Sequence, residues 1–366
     1  MAMFICVGVL ALVLLVRFAT KARWGLALGA VLASFIFTPL FVFIDYSSQT
    51  TATEVWSGRV IGWEHNEEWD EWHQPVTSCS NNNVCSTTPG YWEHHDATNY
   101  IKTTDNGRVQ VHVSPDGRKL NDKWPNTTEE LKVLWPYNTP TASTHTYENK
   151  VQASYSIFKH DDIDLDKFPN LPDYPEAMRD YIYVDRILGD VRDKDKALTV
   201  LAEVNSELNR PVPNPEKPGK TMSWKQVNII FVNVGTNTDP SYGFALQDKW
   251  EGGNKNDFVI AFSTNEDNKA IWSYPFSWSE VELLKLDVRD YMLNQNNLND
   301  FTAVVHDVGD LVADKFVRKQ FADFNYLQID TSKGAWIFIW IVNSLIFIIT
   351  AGRMLKEHGE TKWFKY

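Results

Sequence analysis

An uncharged and strongly apolar segment near the carboxyl end, 335–351, constrains this chain more than any other feature. Within it only Asn343, Ser344 and Thr350 are weakly polar. A helix of this length rises about 25 Å, which is enough to cross a slightly thin bilayer. It also lacks the polar face that a helix on a soluble core would show. The segment therefore predicts a transmembrane helix.

Two further apolar segments lie at the amino end of the chain. Residues 24–44 carry no charge, and residues 1–16 form another uncharged apolar run. A cleaved signal peptide is the competing interpretation of residues 1–16, but no positive charge precedes Phe4 and a full-length apolar segment follows directly. Because the first run is short, it could also lie at the membrane interface. We predict two transmembrane segments here, one at the carboxyl end, and a basic tail over 352–366.

Basic residues between the first two apolar segments, and after the last one, predict the orientation. Short loops rich in Lys and Arg stay in the cytoplasm. With both basic segments on that side, the large polar region between the second and third apolar segments faces the periplasm of a bacterium. We therefore expect a multi-pass protein of the inner membrane, with the bilayer as its first partner, and we call the polar region over 46–333 the head. The basic residues that predict this orientation, the topology residues, are Arg17, Lys21, Arg23, Arg353 and Lys356.

The acidic balance of the chain bears on its partners. The formal net charge is −12, and because the short flanks of the apolar segments are basic, the polar region between the second and third apolar segments is more acidic still. A surface of this sign repels phosphate backbones. The composition therefore argues against nucleic-acid binding, and the charge is expected to keep an exposed domain soluble.

Cysteine and histidine residues cluster in the first part of the head. Cys79 and Cys85 are separated by five residues and can close as a disulfide in an oxidising compartment. They could instead join His73, His94 and His95 in a zinc site. The pair His94 and His95 could also bind a metal by itself, act as an acid–base pair, or lie exposed in a polar loop.

The composition divides the head into a β-rich domain over 46–160, an acidic Pro-rich linker over 161–175, and an α/β domain over 176–330. The linker's pattern of Asp162, Asp164 and Asp166 faintly resembles a calcium-binding loop, but Lys167 stands where such a loop needs Gly. The linker is therefore expected to be a solvated hinge. A helical stretch over 176–210, broken near Gly189, is expected after the linker. Most tryptophans of the β-rich domain are expected in its core. They are Trp56, Trp63, Trp69, Trp72, Trp92, Trp124 and Trp135.

Strand and helix patterns alternate in the last third of the head, which predicts an α/β layered sheet. Continuous apolar runs indicate buried strands, and Asp, Asn or Ser before a periodic stretch indicates a helix start. The expected elements are strands over 227–234, 257–263 and 270–274, a helix from Asp239 to Trp250, a helix from Ser277 or Ser279 through Leu293, and a helix from Asn299 or Asp300 to about Gln320.

This order of elements resembles the TPM domain, a periplasmic or lumenal α/β/α module. The resemblance rests on NIIFVNV, SYGFALQDKW, the Gly-Gly turn, NKND and FVIAFS. It implies an acidic patch at Asn254, Asn256 and Asp257 that could hold Ca²⁺ or Mg²⁺. A solvated turn is the alternative interpretation of these residues. The chain as a whole also resembles uncharacterised membrane proteins encoded by tailed bacteriophages, which implies the inner membrane of a bacterial host.

These patterns together predict a membrane-anchored α+β protein. Phosphate-binding loops, nucleophile elbows and zinc-protease motifs are absent from the sequence. The segment 273–278 departs from the Gly-rich one of the TPM family. We therefore expect a non-enzymatic protein without a cofactor, whose periplasmic head binds envelope or phage proteins. A metal-dependent phosphatase of the TPM type is the alternative.

Asn343 could form an interhelical hydrogen bond and favour a homo-oligomer, or face other protein.

Overall fold

The computed structural model describes residues 2–79, 85–115, 117–121, 124–155, 159–160, 162–175, 184–319, 321–324 and 326–363. Its helices are α1 (Ala2–Thr20), α2 (Trp24–Thr50), α3 (Thr128–Leu134), α4 (Lys150–Ala153), α5 (Lys194–Leu208), α6 (Ser241–Lys249), α7 (Glu282–Asn294), α8 (Phe301–Lys315) and α9 (Lys333–Trp363). Its strands are β1 (Thr51–Asn66), β2 (Trp69–His73), β3 (Val76–Cys79), β4 (Cys85–Thr88), β5 (Tyr91–His95), β6 (Thr98–Thr103), β7 (Gly107–Gln110), β8 (Pro140–Glu148), β9 (Ile187–Leu188), β10 (Pro211–Pro213), β11 (Thr221–Ser223), β12 (Asn228–Asn233), β13 (Asp257–Thr264) and β14 (Ala270–Ser277).

The chain divides into two compact units. The helical unit comprises Met1–Ala52, Tyr147–Ser156 and Phe324–Tyr366. The head unit comprises Thr53–Thr146 and Ile157–Asp323. The two domains predicted within the head thus contribute to one compact unit.

The helical unit is built on α1, α2 and α9, which pack against one another. Their shared core contains Val13 of α1, Ala27 and Ala30 of α2, and Met354 of α9. Among the described residues, the helices long and apolar enough to cross a membrane are Trp24–Thr50 and Lys333–Gly359, and a shorter apolar helix covers Phe4–Thr20. The apolar helices were therefore predicted at the right places, but helix α9 continues through most of the predicted basic tail.

Polar contacts join α2 to α9 at the end of the unit where the head sequence begins. The Ser332 hydroxyl accepts a hydrogen bond from the Ala335 N–H at 3.1 Å and caps α9. Asp45 of α2 in turn accepts hydrogen bonds from the Ser332 N–H at 2.9 Å and from its hydroxyl at 2.6 Å. One carboxylate therefore holds the start of α9 beside the last turns of α2.

The head unit contains an antiparallel sheet in the order β7-β6-β1-β8. Val60 of β1 and Ile101 of β6 pack with Leu131 and Trp135 of the segment around α3 into a small core. Two separate hairpins, β2–β5 and β3–β4, are formed by the residues between β1 and β6. The β-rich character predicted for this region is confirmed, and the hairpins are its exposed part.

A second sheet, in the order β14-β13-β12-β9, forms the middle layer of an α/β/α arrangement. Strands β9, β12 and β13 are parallel, and β14 is antiparallel to β13. Alternate residues of β12 face opposite layers: Phe231 packs in the core with α5, α7 and α8, whereas Ile230 packs in the core with α6. The predicted buried strands and the predicted layered α/β sheet are therefore confirmed.

Two expectations for the chain ahead of this sheet need correction. The predicted linker is packed: Leu171 is buried in the core beside α6, while Asp162 and Asp164 are exposed. The predicted helical stretch is wrong at Ile187 and Leu188, which form β9, and its beginning at 176–183 lies outside the described residues. Periodicity alone did not distinguish a two-residue edge strand from the end of a helix.

Candidate functional site

The residues predicted to hold a cation lie in the loop that enters β13, and all of them are buried rather than solvated. Asn254 is 4% exposed, and Asn256 and Asp257 are each 1% exposed. The Asn256 amide donates to the backbone carbonyl of Val55 at 2.8 Å. The solvated-turn interpretation is therefore wrong, and the loop is part of the packed interior of the head.

Asp257 receives hydrogen bonds on both carboxylate oxygens. Asn228 donates to Oδ1 at 2.9 Å, the Asn254 N–H donates to Oδ2 at 2.8 Å, and the Tyr174 hydroxyl lies 2.8 Å from Oδ2. Tyr174 comes from the predicted linker, which the sequence did not connect with this loop. A cation at these oxygens would have to displace donors that already satisfy them.

Burial dominates the electrostatics of this carboxyl. Desolvation raises the pKa of Asp257 to about 6, against the opposing effect of its hydrogen-bond donors. Burial also lowers the pKa of Arg186 to about 10, and its guanidinium donates to the Ser57 hydroxyl at 2.8 Å. Buried groups with shifted pKa values occur at functional sites and in structural networks alike. Here Asp257 joins β13 to Asn228 of β12, and Arg186, which directly precedes β9, contacts Ser57 of β1. Both groups therefore support the packing of the head.

A second buried charge cluster surrounds Arg318 and was missed by the sequence analysis. Arg318 Nη2 lies 2.6 and 2.8 Å from the two carboxylate oxygens of Glu54, and its Nη1 donates to Gln226 at 2.8 Å. Burial and the positive charge of Arg318 lower the pKa of the neighbouring Lys255 to about 8. Isolated charged residues at 54, 255 and 318 carry no local pattern that could have revealed this cluster.

A Ser–His contact on β8 is a second feature that the sequence did not reveal. Ser143 Oγ lies 2.9 Å from His145 Nε2, because residues two apart on a strand share a face. The same hydroxyl donates to Asp105 Oδ2 at 2.5 Å, and Ser143 is 2% exposed. Because the serine hydroxyl donates its proton to Asp105, it does not donate to the imidazole, as a nucleophile would to its base. This contact is structural rather than a nucleophile–base pair.

Hairpin β2–β5 separates the candidate histidines onto two faces. Its register pairs Trp69 with His95, Glu71 with Glu93 and His73 with Tyr91 on one face, which we call the imidazole–carboxylate face. The other face pairs Asp70 with His94 and Trp72 with Trp92, and we call it the indole face. The two predicted metal-ligating histidines, His94 and His95, therefore point to opposite sides of the hairpin.

His94 is paired on the indole face. Its Nδ1 lies 2.8 Å from Asp70 Oδ1, and this hydrogen bond raises the pKa of His94, opposed by partial desolvation. The rings of Trp72 and Trp92 lie beside this pair, with 5.2 Å between their centroids. The indole face thus combines a histidine–aspartate hydrogen bond with two large aromatic side chains.

The aromatic side chains of this hairpin are exposed, contrary to the expectation that most tryptophans of the region lie in the core. Trp69, Trp72 and Trp92 are exposed by 55%, 45% and 66%, whereas Trp135 is 1% exposed. A two-stranded hairpin has no layer behind it that could cover both faces. The prediction was therefore wrong for these three residues.

The predicted disulfide lies at the end of hairpin β3–β4. Its register places Cys79 directly opposite Cys85. Directly opposite residues of antiparallel strands have Cα atoms about 4.5–5.5 Å apart, within the range that a disulfide spans. The side chain of Cys79 is outside the described residues, so the bond stays a prediction that this register favours.

Asn343 is hydrogen-bonded inside the helical unit. Its Nδ2 donates to the Thr38 hydroxyl at 3.0 Å and to the carbonyl of Ile339 at 2.9 Å, and its Oδ1 accepts from the Ser34 hydroxyl at 2.5 Å. Asn343 is 2% exposed. These contacts between α2 and α9 satisfy the amide within one chain, so it needs no second copy. A homo-oligomer stays a prediction.

The predicted topology residues lie at the end of the helical unit opposite to Asp45. Arg23, which precedes α2, donates its N–H to Glu357 of α9 at 3.3 Å. His358 Nδ1 lies 2.9 Å from the carbonyl of Thr20 in α1. Arg17 and Lys21 flank the same α1–α2 turn, and Arg353 and Lys356 lie on the adjoining part of α9.

Taken together, the described residues form a mixed α+β protein with several sheets and two helices that are long and apolar enough to span a membrane. Among known proteins, no family model, no curated protein and no solved structure matches the chain. The resemblances to the TPM domain and to phage membrane proteins therefore stay predictions.

Proposed function

We propose that the chain is a multi-pass protein of a bacterial host's inner membrane, and that it displays its head on the periplasmic side. The apolar surface of the helical unit supports this. Leu32 and Phe43 of α2 and Ile337, Ile341 and Ile348 of α9 are exposed by 52–66%. In water such a surface would be a large apolar patch, whereas hydrocarbon covers it without cost.

The charge distribution supports the proposed orientation. Basic residues lie at the end of the helical unit formed by the α1–α2 turn and the last part of α9. Short basic segments favour the cytoplasm. In the proposed orientation the head sequence, which follows the other end of α2, lies in the periplasm.

The function proposed for the head is non-enzymatic binding of another envelope or phage-encoded protein through the indole face. The observation that carries this proposal is the exposure of Trp72 and Trp92 beside the Asp70–His94 pair. Protein interfaces are enriched in Trp and Tyr, and a few such residues supply most of the binding energy. An exposed tryptophan pair on a hairpin is costly in water and is the kind of anchor that a protein partner covers.

Site-specific photo-crosslinking in native membranes tests this proposal. We expect a crosslinker at position 92 of the full chain to capture a discrete protein, and Trp72→Ala to abolish that capture. A crosslinker at Val133 is the matched control, since Val133 is an apolar residue of α3 that is 79% exposed. Equal capture from positions 92 and 133, or none from either, would refute binding through the indole face.

The membrane placement has its own test. A reporter that is active only outside the cytoplasm, fused after Ser47, should be active, and the full chain should resist extraction by carbonate. Release of the chain by carbonate would show that the apolar helices do not anchor it. Activity of a cytosolic reporter at the same position would reverse the orientation.

A further inference from the structure

The imidazole–carboxylate face of hairpin β2–β5 brings two negative charges together on opposite strands. Glu71 and Glu93 are direct cross-strand partners. Like charges in this position are destabilising. The only strand partners of β2 and β5 within the described sheets are each other, so no further strand supports the pair. A positive group between the two carboxylates would relieve their mutual repulsion.

Two histidines flank these carboxylates diagonally. His95 Nε2 lies 3.3 Å from Glu71 Oε2, and His73 Nε2 lies 2.7 Å from Glu93 Oε2. His73 Nε2 also lies 4.0 Å from Glu71 Oε2. Each strand therefore contributes one carboxylate and one imidazole to the same face.

The distances are those of ligands that are nearly in place. One ligand atom each from Glu71, Glu93 and His95 lies within 4.8 Å of the other two. Ligands at Zn–N and Zn–O distances of about 2.0–2.2 Å in a tetrahedron lie about 3.4 Å from one another. Small side-chain rotations would bring these three ligands around one ion. His73 lies outside this group of three, and its Nε2, 2.7 Å from Glu93 Oε2, would have to turn toward the ion to become the fourth donor.

Aromatic rings hold both imidazoles in position. The ring of Trp69 stacks on His95 with 4.2 Å between centroids, and the ring of Tyr91 stacks on His73 with 4.7 Å between centroids. Orientation of ligand rings by neighbouring groups is a regular feature of metal sites. The exposed Trp69 thus supports the ring of His95 on the same face of the hairpin.

We propose that Glu71, Glu93, His73 and His95 form a binding site for a divalent first-row transition metal, with Zn²⁺ as the expected ion. Imidazole and carboxylate ligands suit Zn²⁺, whereas Ca²⁺ and Mg²⁺ prefer oxygen ligands alone. Four protein ligands close the coordination sphere, so the site is structural rather than catalytic. His94 is excluded as a ligand because it lies on the indole face with Asp70.

The ion would clamp β2 to β5. A two-stranded hairpin is marginally stable in water by itself, and metal binding that requires the folded arrangement stabilises it. The clamp sets the separation of the two strands that also carry Trp72 and Trp92. The metal site stands on its own geometry and does not depend on the proposed partner.

Metal titration of the full chain in detergent micelles, after chelator treatment, tests the site. We expect Zn²⁺ to bind with a stoichiometry of one, measured by competition with a chromophoric chelator. Co²⁺ should bind at the same site and give the visible absorption bands of tetrahedral coordination. Absence of saturable Zn²⁺ binding would overturn the proposal.

Variants locate the ion. Glu93→Gln and His95→Gln should each weaken Zn²⁺ binding by at least about tenfold. His94→Gln is the matched control on the other face and should leave the affinity unchanged. Loss of binding in His94→Gln, or in the double variant Cys79→Ser, Cys85→Ser, would place the metal elsewhere and refute this site. Unchanged binding in both Glu93→Gln and His95→Gln would refute it as well.

Discussion

Glu54 and Arg318, which lie 264 residues apart in the sequence, form a bidentate salt bridge with N–O distances of 2.6 and 2.8 Å. The Glu54 side chain is 2% exposed and the Arg318 side chain is 11% exposed. Glu54 belongs to the first strand of the head unit, and Arg318 follows the last helix of that unit. The pair therefore joins the beginning and the end of the head sequence within one packed structure.

Removing one partner of this pair should be strongly destabilising. Arg318→Ala leaves the buried Glu54 carboxylate without its counter-charge, and we expect a loss of about 3–5 kcal/mol in the free energy of unfolding. The measurement is denaturant unfolding of the full chain in detergent, followed by tryptophan fluorescence. The double variant Glu54→Met, Arg318→Met should be more stable than Arg318→Ala, because neither charge of the pair is left without the other. A loss below about 1 kcal/mol in Arg318→Ala would show that water reaches the pair.

Asp257 should give the head a specific pH dependence of stability. Its pKa is raised from 3.8 to about 6 in the folded chain, so the folded state keeps a proton that the unfolded state releases. The stabilisation is therefore complete below about pH 4 and is lost as the pH rises through about 6, with a size on the order of 3 kcal/mol.

The variant Asp257→Asn isolates this effect. Its amide meets an N–H donor from Asn228 or Asn254, so one hydrogen bond is lost at a cost of about 1–3 kcal/mol. Subtracting its unfolding free energy from that of the unchanged chain at each pH should leave a difference that declines between pH 4 and 6. A difference that does not vary with pH would show that Asp257 is ionised throughout this range.

Gly189 should tolerate no side chain. Its φ is +82°, and a Cβ at this position would lie 2.0 Å from the carbonyl oxygen of Asn233. We expect Gly189→Ala to separate β9 from β12 and to cost at least about 2 kcal/mol, more than left-handed strain alone. Gly219→Ala is the matched control: its φ is +80°, but no atom lies within 4 Å of the added Cβ. Equal melting temperatures of the two variants would contradict the close approach of Gly189 to Asn233.

Asn343 should stabilise the helical unit. Asn343→Leu removes the hydrogen bonds to Ser34 and Thr38, and we expect a loss of about 1–2 kcal/mol. The loss should appear in unfolding by denaturing detergent from mixed micelles. Leu345→Ile is the control, since Leu345 is an apolar residue of the same helix that is 51% exposed. If Asn343→Leu changed the oligomeric state and not the stability of the single chain, the amide would act between copies.

Much of the fold could be predicted from local patterns. Apolar runs placed the long helices, and continuous β-branched and aromatic stretches placed β12 and β13, because few alternatives can bury so much apolar surface. Capping chemistry offered Asn299 or Asp300 as the start of α8, and Asp300 is the cap, since its side chain accepts from the Ala303 N–H at 3.2 Å. The helix ends at Lys315, before the predicted Gln320. The edge strand at Ile187 was missed, because two residues carry no periodicity.

The candidate sites could be predicted only in part. The resemblance to the TPM domain drew attention to Asn254 and Asp257, and the clustering of histidines in the sequence drew attention to His95. The sequence could not show that Tyr174 satisfies Asp257, because that contact spans 83 residues. It also grouped His94 with His95, whereas the alternation of a strand separates neighbouring residues onto opposite faces.

The sequence by itself determined where the apolar helices and the buried strands lie, because hydrophobic burial acts on local runs of the chain. Only the tertiary structure decided which polar groups meet: Asp257 with Tyr174, Glu54 with Arg318, and Glu71 with Glu93. These contacts depend on strand register and on packing between distant segments, and a charged or hydrogen-bonding side chain carries no local mark of its partner. The chemistry of the head therefore became visible only when the fold brought those side chains together.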